Sequence, residues 1–198
     1  MNFENISGLA PDGTGKLQNF KSWFGESVVV EDAAPIIVYH GSHSTFDEFD
    51  MSRARDGAHF FTKDLEHAAS FGKPGAFLLS IRDPLIIAED DLLAAWDKEH
   101  PNGLQDDRNL LPRDFIVDFV KIAKESGRDG LIILDMGDRD ISTDMYLPFS
   151  PSQIKSADKN NGLYDRDCAD FTDRKSSRVP EQEIDGRSTP LKARRFSP

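Results

Sequence analysis

The chain predicts an α+β domain in which short strands and helices are mixed without regular alternation. Three observations carry this. The β-branched runs are short and bounded by Gly, Pro and Asp, as at Val28–Val30, Ile36–Tyr39 and Leu131–Leu134. Amphipathic helical stretches fall between them at irregular intervals. No Gly-x-Gly-x-x-Gly or Walker pattern follows a strand, which disfavours a doubly wound nucleotide fold. Of the 198 residues, 38% are apolar. Most of the aliphatics lie between 26 and 157, enough for one self-standing core of about 130–150 residues.

Each element follows from its local pattern. Residues 1–16 are polar and Gly-rich and read as a flexible lead. Leu17, Phe20, Trp23 and Phe24 recur at helical spacing and stop at Gly25. Val28–Val30 and Ile36–Tyr39 read as two strands or one extended corner. Phe46 and Phe49 anchor the acidic loop that follows. A helix over 65–71 takes its cap from Thr62 or Asp64 and ends at Gly72. Strands are expected at Ala76–Ile81 and Leu85–Ile87, then helices from Asp90 to Glu99 and from Phe115 to Ala123. Residues 135–143 read as a charged loop before a last strand, Met145–Phe149, which Pro148 assigns to an edge or a bulge. Aliphatics vanish beyond about 158, so 166–198 is expected to be a disordered, mildly basic tail behind a domain spanning 17–165.

Bulk properties exclude several functions. A net charge of −11 argues against non-specific duplex DNA binding but not against a small anionic ligand. One cysteine, Cys168, allows neither an intramolecular disulfide nor a Cys-based zinc site, and its polar surroundings predict a surface thiol. No leader pattern and no apolar run long enough to cross a bilayer is present, so a soluble, cytoplasmic protein with no membrane partner is expected. The histidines have no mutual metal-binding spacing, and the acidic run Asp135, Asp138, Asp140 and Asp144 lacks the EF-hand pattern, so no metal is expected.

Candidate chemistry concentrates in two places. Val38-Tyr39-His40-Gly41-Ser42 is a strand that ends in an imidazole, a glycine permitting close backbone approach, and a hydroxyl. Gly57-Ala58-His59-Phe60-Phe61-Thr62 adds flat aromatic surface a short loop away. Together they supply what a nucleotide with a planar base needs. A strand-end histidine bonded to a carbonyl, with phenylalanines that simply fill the core, accounts for the same residues.

These stretches carry a resemblance. The His-Gly-Ser turn, the strand with Phe60-Phe61 and the Ala68-Ala69-Ser70-Phe71 helix resemble the NAD-binding half of ADP-ribosyltransferases of the diphtheria-toxin and poly(ADP-ribose) polymerase type. Phe20-Lys21-Ser22-Trp23-Phe24-Gly25, Gln153-Ile154-Lys155-Ser156-Ala157 and Asn161-Gly162 extend the likeness over about 17–165. They bring it closer to the ADP-ribosyltransferase-like domains of polyvalent proteins of phages and mobile elements. The resemblance implies a split small sheet with flanking helices that clasps NAD as substrate. It assigns His40 to a ribose, Tyr39, Gly41 and Ser42 to the adjoining pocket, Phe60 and Phe71 to the two faces of nicotinamide, and Phe61 and Thr62 to pocket support.

The family's catalytic Glu falls at Met145 when counted back from Gln153. Asp144, one residue earlier, becomes the candidate carboxylate, with Asp138 and Asp140 behind it. The implied activity is transfer of one ADP-ribose to a macromolecular acceptor, a host protein rather than nucleic acid. The acceptor would be met in the host cytosol and recognised by loops such as 101–113 and 135–143. An inactive NAD- or partner-binding module and an NAD glycohydrolase use the same parts.

Overall fold

A computed structural model describes residues 14–54, 57–99, 116–138 and 141–177. The expected lead over 1–13, the loop 101–113, Asp140 and the chain beyond 177 lie outside the described residues, as does the side chain of Asp138. The helices are α1 (Thr14–Phe24), α2 (Leu65–Ala69), α3 (Glu89–Glu99) and α4 (Ile116–Glu125). The strands are β1 (Val30–Glu31), β2 (Ala34–Pro35), β3 (Val38–Ser42), β4 (Phe61–Thr62), β5 (Lys73–Leu79), β6 (Pro84–Ala88), β7 (Gly130–Asp138), β8 (Ile141–Pro148) and β9 (Ile154–Ser156). β1 and β2 form a small hairpin that turns through Asp32 and Ala33, both at positive φ. The other strands form one seven-stranded sheet in the order β6-β7-β8-β4-β3-β5-β9. β6 and β7 are parallel and every other neighbouring pair is antiparallel. The fold is α+β, with helices packed on a mixed sheet.

Apolar side chains divide by strand alternation. Ile87, Leu131, Ile133, Met145 and Leu147 pack with Leu92 of α3 and Val120 of α4. Val38, Phe61, Phe77, Ile132 and Tyr146 face the other way and pack with Phe49 and Phe171. α1 places Phe20, Trp23 and Phe24 on one stripe against Leu78 and Tyr164, then stops at Gly25, whose φ is +57°. Burying each of those aromatics contributes about 1.5–3 kcal/mol. α2 is capped by Asp64, whose carboxylate accepts from the His67 N–H at 2.7 Å.

Three expectations need correction. Pro148 does not put its strand at an edge: β8 lies between β7 and β4. Pro148 is the last residue of β8, and the β4 ladder has already ended at Tyr146, so its missing N–H removes no bond on that side. Residues 135–143 are not simply a loop, because β7 runs to Asp138 and β8 starts at Ile141. Finally, packing does not stop at 165. Cys168, Asp170, Phe171, Thr172 and Asp173 are buried, so Cys168 is not a surface thiol, and burial pushes its pKa up.

Candidate active site

The site is built where β3 leaves its neighbour. β3 and β4 share a single register pair, Tyr39 with Thr62, whereas β3 and β5 pair all the way from Val38 to Ser42. Beyond Tyr39, then, Gly41 and Ser42 have strand partners only in β5, at Pro74 and Lys73. A side chain crosses the parting instead. His40 Nδ1 lies 2.8 Å from the Phe60 carbonyl.

Two glycines set the depth of this notch. A Cβ on Gly41 would stand 1.9 Å from the Ala68 carbonyl oxygen and 3.1 Å from Phe71 Cβ, so only glycine lets α2 lie this close. Gly72, at φ +133°, would in turn drive a Cβ to 2.5 Å from the Ser42 carbonyl carbon. Gly41-Ser42 and Phe71-Gly72 therefore pack backbone against backbone. Phe71, 44% exposed, is left beside the strand end with its ring edge-on to His67 at 5.2 Å. The Ser42 hydroxyl closes a local turn, donating to Ser44 O and accepting from Ser44 N.

The His40 ring is held by aromatics. Ring centroids lie 5.1 Å away at Phe49, 5.3 Å at Phe61, 5.8 Å at His59 and 6.4 Å at Phe46. Burial lowers the His40 pKa, the Phe60 carbonyl opposes that, and His59 lowers it further. A carbonyl can only accept, so Nδ1 carries the proton and Nε2 of the neutral ring is an acceptor. Phe60 is half-buried and packs at the rim of the core cluster that contains Met145. Phe61 has no exposed surface. Thr62 is buried, and its hydroxyl bonds Thr143 at 2.9 Å and accepts from the Asp64 N–H at 3.1 Å. Phe61 and Thr62 are thus buried beside β3, level with His40 and Tyr39, and Tyr39 is half-buried.

Register places the carboxylate. Tyr39 opposite Thr62 sets His40 opposite Phe61, and Phe61 pairs Tyr146. These three form a row across β3, β4 and β8, and Asp144, two residues before Tyr146, lies on the same face, level with Lys63 and toward the Val38 end of β3. Met145 points the other way and is 6% exposed in the core under α3 and α4. A bulge lies against Asp144: the β7 register jumps from Ile133–Met145 to Met136–Thr143, so Leu134 and Asp135 together oppose it. The bulge frees the Asp135 N–H to donate to Asp144 Oδ1 at 3.1 Å. Lys63 Nζ stands 3.7 Å from Asp144 Oδ2 and 3.5 Å from Glu31. Burial, and then the Asp144 carboxylate it bonds, push the Tyr146 phenol up to about 12.

The sequence shows Phe49 as a loop anchor, His59 within the aromatic stretch and Asp135 within the acidic run, but gives none of them a role at the site, and it does not mark Lys63. The contacts of Lys63 and Asp135 depend on register and on a bulge, which no local spacing encodes.

The Gln153-Ile154-Lys155-Ser156 motif is structural. Gln153 accepts from the Phe149 and Ser150 N–H groups and donates to the Ser80 and Asp129 carbonyls. Lys155 is fully buried, with Nζ 2.6 Å from Asp173 Oδ1 and 2.8 Å from Cys168 O. A separate cleft of about 320 Å³, lined in part by Trp23, Arg82, Phe149 and Arg166, opens at the Ser80 end of β5, away from Gly41. The Arg82 and Arg166 guanidiniums there bond the Trp23 and Ser22 carbonyls at the end of α1.

Among the described residues no group of three or more His, Cys, Asp or Glu side chains is placed to hold a metal, and no helix is long and apolar enough to cross a membrane. No curated protein and no solved structure matches the chain. A family profile described as ADP-ribosyltransferase in polyvalent proteins matches residues 31–164, which takes in the notch, the His40–Asp144 face and the Gln153 motif. On that match the chain belongs to the family of ADP-ribosyltransferases found in polyvalent proteins.

Proposed function

We propose that the chain binds NAD in the notch at the end of β3 and transfers a single ADP-ribose to a macromolecular acceptor, with Asp144 as the working carboxylate. The observation that carries this is the shared face of His40 and Asp144, with Met145 turned into the core. In this reading the open backbone edge of Gly41 and Ser42 holds the nicotinamide amide. Phe71 and Phe60 flank the ring. The His40 Nε2 lone pair accepts from a ribose hydroxyl.

The bond between C1″ and the nicotinamide nitrogen breaks, its electron pair leaving with neutral nicotinamide, so no strong acid is needed. Positive charge builds at C1″ and the ring oxygen. A carboxylate stabilises it and takes the proton that the acceptor loses as it bonds C1″. A protein acceptor suits the net charge of −11 better than a polyanionic nucleic acid does. If the chain is phage- or element-encoded, a host factor in the host cytosol is the natural target.

The test is incubation with NAD and cell lysate, following free nicotinamide and labelled macromolecules. Release together with a modified protein is the expected result. Release without modification identifies an NAD glycohydrolase. NAD binding without release identifies an inactive module. No binding, or a His40→Ala variant that binds as tightly as the parent, overturns the site.

A further inference from the structure

We infer that Phe49 is a positioning residue for His40 and that the segment 165–175 belongs to the NAD site because it holds Phe49 there. The inference rests on the reading that His40 meets NAD. Phe49 is 2% exposed and sits at the centre of the aromatic cluster. It presents edges to His40 at 5.1 Å and to His59 at 5.0 Å, and it touches Phe61 and Phe77, both at 5.2 Å. Edge contacts fix ring orientation, and each is worth about 0.5–1.5 kcal/mol beyond its buried area.

Phe49 lies outside any long regular element, so something else must hold its loop. That something is the C-terminal segment. The Phe171 N–H donates to Asp47 O at 3.0 Å, Glu48 bridges Asp170, and Lys175 pairs Asp47 at 3.0 Å. The Phe171 ring packs on Phe49 at 5.8 Å, on Phe46 at 5.9 Å and on Phe77 at 5.3 Å. The segment is fastened in turn by Lys155, buried against Asp173. Its far end is tied through Asp173 Oδ2, which accepts from Asn160 and from the Asp165 N–H. A continuous set of packed contacts thus runs from β9 to the imidazole. The titratable groups around that ring are His59, from the approach to β4, and Asp50, whose carbonyl lies 3.0 Å from His59 Nε2.

Two variants test this: Phe49→Leu, which nearly conserves volume, and Phe171→Leu, remote from the imidazole. The readouts are NAD affinity, the KM and kcat of nicotinamide release, and the His40 titration followed by NMR, with His67 as internal control. Phe49→Leu is expected to raise KM and Kd for NAD about three- to tenfold with kcat within about twofold. Its His40 midpoint should rise toward 6.5 as water reaches the ring. Phe171→Leu should do the same more weakly.

A fall in melting temperature with His40 titration and NAD affinity unchanged overturns the inference and leaves the proposed function standing. If the parent protein neither binds NAD nor releases nicotinamide, the proposed function falls and the inference falls with it. If Phe49→Leu does not fold, Phe171→Leu decides, because it removes no contact to His40.

Discussion

At His40 the quantity that matters is the proton on Nε2. The Phe60 carbonyl claims the Nδ1–H, so a second proton would remove the only acceptor the ring can offer a ribose. Burial lowers the His40 pKa below its usual 6.5, which gives the pH dependence a definite sign. Between that lowered value and 6.5 the unfolded chain binds more protons than the folded one, so stability rises with pH. The contribution is complete above 6.5 and is lost as the pH falls through the folded value. NAD affinity should fall as the pH drops through the folded value and flatten above it, as a binding isotherm series across pH would record.

In the proposed reaction Asp144 is the carboxylate that meets the developing charge. Asp144→Asn keeps the side chain's size and should lower nicotinamide release about a hundred- to thousandfold with NAD affinity little changed. A rate within a few fold of the parent would remove Asp144 from the mechanism. Gly41→Ala must displace the Ala68 carbonyl from 1.9 Å and is expected to cost about 1–3 kcal/mol in denaturant unfolding, together with NAD binding.

Among the elements, those built on local pattern were legible before the structure. α1 shows its stripe of aromatics and its Gly25 stop, α2 its Asp64 cap, and β3 its β-branched run into His40-Gly41-Ser42. Half of the candidate site lies in the same stretches, where one strand end and the turn after α2 hold His40, Gly41 and Phe71. The other half depends on which strands become neighbours. That Asp144 rather than Met145 shares the sheet face of His40 follows from the β4–β8 register, and the Asp135 bond follows from a bulge.

The segment after 165 conceals its packing for a different reason. Hydropathy measures aliphatic content, while this segment is buried by a lysine, carboxylates and asparagines that satisfy one another. Asp170 illustrates this: burial opposes its ionisation, yet bonds from the Thr172 hydroxyl and from the Thr172 and Lys175 N–H groups keep its pKa low. Lys155→Met would leave Asp173 charged in the interior without its counter-ion. It should cost about 3–5 kcal/mol, measurable by denaturant unfolding.

For the molecule as a whole, the packed unit extends beyond the 31–164 stretch that carries the family match, with buried residues as far along as Asp173. β9 ends the sheet, and beyond Ile154–Ser156 no other strand pairs with it among the described residues. The cover comes from the chain's own continuation, where the Ser156 N–H donates to Phe171 O at 2.9 Å. An uncovered edge strand is a template for intermolecular pairing, and natural sheets protect theirs. A product cut at 164 would keep the strand and lose its guard. It would also expose Phe77 and strand Lys155 without an anion. Such a fragment should come off expression as aggregate, whereas one ending at 177 should stay monodisperse by size-exclusion chromatography. The same peptide that steadies the imidazole is then what keeps neighbouring copies of this protein from zipping together.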